Sequence, residues 1–172
     1  MEAKNPKSRK GRTGGISGKE MEAVSFLELE GKRFFSRGDV RKFFRDANEM
    51  GVYIHRMAAK GRVVKIARNR YYLVPIQAYQ GNWSEHPYIV IDEMLGGRGY
   101  CIGGKSAAHY WGLIDQIPSV IDVFTRTRQG KKEFLGSAIR FRRVRNIPKG
   151  TAGKIKGHGF IIATKKEAMQ WK

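Results

Sequence analysis

An α+β fold in two parts is predicted by three observations on the 172-residue sequence. Apolar-periodic segments with helix caps fill residues 20–60, and β-rich runs bounded by turn residues follow at 62–74. From residue 77 onward, short strands alternate with short helices. The expected division is therefore an arm over 1–19, one domain over 20–76, and a small α+β domain over 77–172. The hydrophobic fraction of 41% is enough for a packed core.

Residues 1–19 are polar, rich in Gly, Lys and Arg, and lack apolar periodicity, which predicts a disordered basic arm, either tracking phosphates or idle. A first helix is expected from about Glu20 to Glu30, with Met21, Val24, Phe26, Leu27 and Leu29 on its apolar face and Gly31 as its stop. Ser36 heads a short second helix with Asp39 in position to reciprocate its cap. Val40, Phe43 and Phe44 turn inward there, leaving Arg41 and Lys42 outside. Asn48 is read as the cap of a third helix that reaches about Lys60 and ends at Gly61. On a 3.6-residue wheel Met50, Ile54 and Met57 share one side; Val52, His55, Arg56 and Ala59 face the other, with Glu49, Tyr53 and Lys60 on the flank. RVVKI (62–66) and RYYLV (70–74), joined by Ala67-Arg68-Asn69, predict a hairpin whose turn needs Asn69 in the left-handed conformation, and Pro75 closes it. Two short helices across a tight turn, followed at once by a basic hairpin, describe a winged helix-turn-helix.

In the second part, His86–Leu95 reads as a helix with Pro87 in its first turn and Gly96-Gly97 behind it. Strands are expected at 100–102, 120–125, 137–144 and 157–163, a short helix at 105–111, and a capping box at Thr164–Glu167. GYCIGGKS (99–106) fits the phosphate-loop pattern G-x-x-x-x-G-K-[ST] letter for letter. Such a loop needs a buried strand before its first glycine and a long helix after its Lys-Ser. Here EMLGGR precedes Gly99, the strand-like residues lie inside the stretch, and only AAHYW separates Ser106 from Gly112. The match is read as incidental: Gly103 and Gly104 turn a strand into a helix, Ser106 or its neighbourhood caps that helix, and Ala107, Ala108 and Trp111 pack. Ser106 and His109 share a helix face, but no orienting acid or oxyanion donor accompanies them, so a role without catalysis is expected.

The formal charge is +19 and it is unevenly spread. Lys32–Arg70 holds twelve Lys/Arg against three acids and Arg126–Lys172 fourteen against two, whereas Tyr71–Thr125 has two against five. Two basic blocks around an acidic middle suggest polyanion-binding surfaces; a cation-rich surface without a ligand is the alternative. Cys101 is the sole cysteine, which excludes an intrachain disulfide and suits a reducing cytoplasm. His55, His86, His109 and His158 lack ligand spacing, so neither a metal nor a cofactor is expected. The apolar runs are too short to cross a bilayer, and the basic N-terminus has no apolar segment of a secretory signal.

Three stretches carry a family likeness: FFSRGDVRKFF (34–44), IHRMAAKGRVVKIARNRYYLV (54–74) and YCIGGKSAAHYWGLIDQIPSVIDVFT (100–125). Together they make the chain resemble the AbiEi-type antitoxins, also described as predicted transcriptional regulators of viral defence systems. The resemblance implies a cytoplasmic protein that represses its own operon by binding double-stranded DNA, self-associating on inverted repeats. It also implies a nucleotidyltransferase-like toxin as a functional partner, neutralised through the C-terminal domain. The family continues through further helices beyond the point matching Lys172, so the second domain resembles a shortened version.

Candidate DNA-binding residues follow from the helix wheel and hairpin. Asn48, His55 and Arg56 are expected at base edges, where Asn suits adenine and Arg suits guanine. Tyr53, Lys60, Ser36 and Arg37 are expected nearer phosphates, and Arg62, Lys65, Arg68 and Arg70 along the hairpin. A secondary patch comprises Arg126, Arg128, Lys131, Lys132, Arg140, Arg142, Arg143 and Arg145, with a bulge expected at Arg143-Val144-Arg145. That patch is left open between further phosphate contact, an RNA or acidic partner, and a solvated sheet face. An RNA-binding module is the alternative function; against it stands the lack of an exposed aromatic platform, since one ring of Tyr71-Tyr72 is expected to be buried.

Overall fold

The computed structural model describes residues 15–75, 85–134 and 136–171; the basic arm expected before residue 15 lies outside the described residues. The chain is α+β, and it divides into two compact units at 76/77.

The first unit comprises α1 (Gly18–Leu29), β1 (Phe34–Phe35), α2 (Arg37–Val40), a 3₁₀ turn (Arg41–Phe43), α3 (Ala47–Ala59), and the strands β2 (Val63–Ala67) and β3 (Arg70–Leu73). Helix α1 starts earlier than expected because Ser17 and Glu20 form a capping box, each side chain bonding the other's amide. This places residues 15–19 with the first domain rather than the arm. The buried face of α1 is Glu20, Ala23, Val24 and Leu27, an i, i+3, i+4, i+7 set. Met21 (49% exposed) and Leu29 (87% exposed) point to solvent, which corrects the expected apolar face.

Met50, Ile54 and Met57 of α3 are buried as the wheel requires and meet Leu27, Phe35, Val40 and Leu73 in one core. Each such aliphatic side chain contributes roughly 1.5–3 kcal/mol on burial. Gly61, at φ +73°, ends α3, with Arg62 N–H closing back to the Met57 carbonyl. The hairpin turns on Arg68-Asn69, and Asn69 is left-handed at φ 53°. Ile66 is an extra residue in β2, between Lys65 paired with Tyr71 and Ala67 paired with Arg70. The bulge turns Ile66 inward (1% exposed) and Lys65 outward. β1 completes a three-stranded antiparallel sheet in the order β1-β3-β2.

The second unit holds α4 (Pro87–Leu95), β4 (Tyr100–Gly103), α5 (Gly104–Tyr110), β5 (Val120–Thr125), β6 (Gly130–Phe134), β7 (Ser137–Arg143), β8 (Gly150–Ile155), β9 (His158–Ala163) and α6 (Lys165–Ala168). Its six-stranded sheet runs β6-β7-β5-β4-β9-β8. A central antiparallel pair, β4 and β5, is flanked by two hairpins, each joined in parallel through its second strand. The β5–β7 register is continuous from Val120↔Ala138 to Thr125↔Arg143, so the bulge expected after Arg143 is absent; the strand simply ends there. β4 occupies the middle of the phosphate-loop-like stretch. Ser106 does not cap α5, whose N-cap is Gly103; it is buried, with its hydroxyl 3.5 Å from the Val120 carbonyl. Cys101 is fully buried, and burial pushes its thiol up to about 12. Among the described residues no helix is long and apolar enough to cross a membrane.

Candidate nucleic-acid interface

The outward face of α3 is set by its N-terminus. Asp46, not Asn48, caps the helix, its carboxylate accepting the Glu49 amide at 2.8 Å. That bond, and then Arg45, hold the Asp46 carboxyl below its ordinary value. Lys19 at 2.7 Å and the Arg45 amide at 2.6 Å do the same for Glu49. Asn48 is consequently the second residue of the helix, exposed, with its side chain not engaged as a cap.

Arg37, Asn48, His55 and Arg56 line one depression of about 500 Å³, together with Gly51 and Val52. Arg37 reaches it from α2 and is fixed there twice. Its amide donates to Asn69 Oδ1 at 3.1 Å and its Nε to the Tyr71 hydroxyl at 3.3 Å. The start of α2 and the hairpin tip are thereby tied on the same side of the unit. Arg56 lies over the Tyr53 ring, 5.6 Å from its centroid, and that ring packs against Phe44 at 5.3 Å. Tyr53 is half-buried, so it orients Arg56 rather than standing free as a phosphate contact. Lys65 and Arg68 are exposed on the hairpin, and Arg70 is half-buried next to the turn, where it pairs with Ala67.

Three expected contacts are engaged elsewhere. Ser36 gives both its hydroxyl (2.7 Å) and its amide (2.8 Å) to Asp39, and these bonds lower the Asp39 pKa. Lys60 turns back to Glu20, 2.7 Å away, with side-chain exposures of 21% and 1% for the pair. Burial pushes the Glu20 carboxyl up, but hydrogen bonds from Lys60 and Ser17 outweigh it and hold the pKa below the ordinary value. Arg62 sits at the foot of the hairpin, 16% exposed, with its guanidinium 3.8 Å from Glu28 of α1. The Lys60 and Arg62 attachments join elements far apart in sequence, which a helix wheel does not register, whereas the Ser36–Asp39 pair is a local cap. The wheel did turn Val52 outward, but its apolar character hid it as a lining residue of the depression, as small size hid Gly51.

The secondary patch is split by the β pleat. Lys131, Arg140 and Arg142 share the face of Asp122 and Phe124, by register and alternation. Lys132 and Arg143 take the opposite face, with Ile139 and Phe141. Burial, then Arg128, lower the Lys132 pKa. Arg128 stands over the Phe141 ring at 5.0 Å, while Arg126 and Arg145 are exposed beyond the strands. The eight cations therefore do not form one surface.

The first unit thus presents a cationic, partly apolar depression beside a basic hairpin tip, and the second a mixed sheet; the class defined is an α+β protein with a polar surface site on its first unit. No family model matches the chain, and no curated protein does. Among solved structures, the chain is similar to the RV2827C protein from Mycobacterium tuberculosis, with 19% identity and a TM-score of 0.54. The likeness covers 80% of this chain and 48% of that one, so this chain spans about half the length of its structural neighbour. What they share is a fold.

Proposed function

We propose that the first unit is a winged helix-turn-helix and that the protein is a sequence-specific regulator binding double-stranded DNA. The observation that carries this reading is the convergence of Arg37, Asn48, His55 and Arg56 on one depression, tied to the hairpin through Asn69. Helix α3 enters the major groove. Arg56, braced by Tyr53, donates to guanine, Asn48 pairs with adenine, and Val52 meets a thymine methyl where Gly51 lets the backbone come close. Arg37 and Arg68 hold phosphates on either side and set the register. Both Tyr71 (4% exposed) and Tyr72 (0% exposed) are buried, which favours duplex DNA over single-stranded RNA because neither ring can stack on a base. The resemblance to the AbiEi-type antitoxins extends the proposal. The regulator acts on its own operon as a self-associating repressor, and its second unit counters a nucleotidyltransferase-like toxin without chemistry of its own.

The test is a salt series comparing the DNA upstream of the reading frame with random duplex. The native protein keeps a preference for the upstream sequence as salt weakens the sequence-blind component. Arg56→Ala loses about 1–3 kcal/mol on the upstream sequence only, whereas Arg68→Ala loses affinity for both alike. Equal losses on both duplexes for Arg56→Ala refute the base-reading role.

A further inference from the structure

The second unit contains a pocket that the regulator reading does not use. It lies on the Asp122 face of the sheet, has a volume of about 660 Å³, and is lined by Lys105, Asp122, Phe124, Arg140, Arg142 and Trp171, among others. That volume falls within the range of about 300–1,000 Å³ found for small-molecule sites.

Its floor is built by glycine. A Cβ on Gly103 would stand 2.5 Å from the Phe124 ring, and one on Gly104 would stand 2.8 Å from Asp122 Oδ2. Only glycine lets the β4–α5 turn lie against both side chains, and Gly104 also takes φ +62°. The turn thus fixes a carboxylate and an aromatic ring beside each other at the pocket wall.

The carboxylate then organises the cations. Asp122 accepts Nε and Nη2 of Arg140 at 2.5 and 2.8 Å, and Nε of Arg142 at 2.8 Å. Arg142 spends one of its three nitrogens in this way, and Lys105 is exposed at the rim. Three cations against one carboxylate leave two positive charges in excess, and the two arginines are held in place by Asp122 before any ligand arrives. Part of the remaining wall is aromatic: Phe124 and Trp171 stack with centroids 5.6 Å apart and planes within 17°, beside Gln116, Pro118, Ser119 and Val120.

We propose that this pocket binds a small ligand joining a phosphate to a planar ring, a mononucleotide in size and chemistry. The phosphate meets Lys105 and Arg142, and the ring lies along the Phe124–Trp171 wall. Gly104 and Lys105 belong to the phosphate-loop-like stretch, yet they serve here as floor and point charge, not as a loop wrapped around a phosphate chain. The site is independent of the DNA reading.

The test is calorimetric titration of the full chain with AMP, inorganic phosphate and adenosine. AMP saturates the protein in the millimolar range or tighter, and phosphate and adenosine each bind at least about tenfold more weakly, because each keeps only half of the contacts. Lys105→Ala, at an exposed position, weakens AMP about tenfold without changing the circular dichroism spectrum. Trp171→Leu weakens AMP but leaves phosphate affinity as it was. The proposal is overturned if AMP gives no saturable heat at about 5 mM, a limit near −3 kcal/mol. It is equally overturned if phosphate binds as well as AMP, or if Lys105→Ala and Trp171→Leu leave AMP binding intact while Arg56→Ala removes it. That last result would move the nucleotide to the first unit and leave the DNA reading standing.

Discussion

Replacing Lys60 with methionine separates a structural lysine from a DNA-contacting one. In the native fold its ammonium lies 2.7 Å from Glu20, whose side chain is only 1% exposed. Glu20 Oε1 is already buried without a hydrogen bond, so the substitution leaves the carboxylate held by the Ser17 amide at 2.7 Å. Breaking a fully buried ion pair from one side costs about 3–5 kcal/mol. Lys60 keeps 21% exposure, through which water reaches the vacated position, so about 2–4 kcal/mol is expected here. The pH dependence carries a sign that can be checked. In the native protein burial raises the Glu20 pKa, the Lys60 and Ser17 bonds together lower it by more, and the folded value ends below the unfolded one. Its stabilisation is present above the ordinary carboxylate pKa and is lost as pH falls through the lowered value. Without Lys60 only the Ser17 bonds oppose burial, the folded pKa rises relative to the native one, and protonation relieves the penalty. Urea unfolding monitored between pH 7 and about 4 therefore shows the native-minus-variant gap narrowing on acidification. DNA binding, measured where the variant is folded, keeps its salt slope. A gap below about 0.5 kcal/mol, or a salt slope reduced by about one, refutes the assignment of Lys60 to Glu20.

Two further outcomes test the local geometry. Asn69→Ala removes the acceptor of the Arg37 amide and strains a residue at φ 53°; it lowers stability by about 1–2 kcal/mol in urea unfolding, and Asn69→Gly recovers the conformational part. Gly104→Ala meets Asp122 at 2.8 Å and costs at least about 2 kcal/mol, whereas Gly112→Ala, at φ +65° in open space, costs only about 1 kcal/mol in the same assay.

Much of the first unit was legible because periodicity and turn chemistry agree. Met50, Ile54 and Met57 mark the inner face of α3, Gly61 its end, and Asn69 the hairpin turn, each through a local rule. The cap was misread because Asp46 and Asn48 are both good cap residues two positions apart; Glu49, three residues after Asp46, was the deciding signal. Glu20, Lys60 and Arg62 looked like surface charges. Their burial depends on partners up to 40 residues away, which no window of the sequence contains. In the second unit the central strands are apolar and stood out. β6 (GKKEF) and β8 (GTAGKI) did not, because they are the sheet's two edges and carry the lysines and glycines that edges tolerate. The Asp122 pocket was invisible for a related reason: it joins Lys105, Arg140 and Trp171 across the sheet, and the phosphate-loop pattern named only the first of them.

The odd residue at Ile66 has a bearing on how the hairpin can vary. Strand side chains keep a two-beat rhythm, and a single inserted residue resets that rhythm midway along β2. Upstream the beat sends Val63 into the core, while beyond the reset Ile66 is delivered there and Lys65 is released to the outside. A deletion of one residue at this point would restore regular time and swap a greasy side chain for an ammonium. Changes in hairpin length compatible with the same cationic rim must therefore come in steps of two.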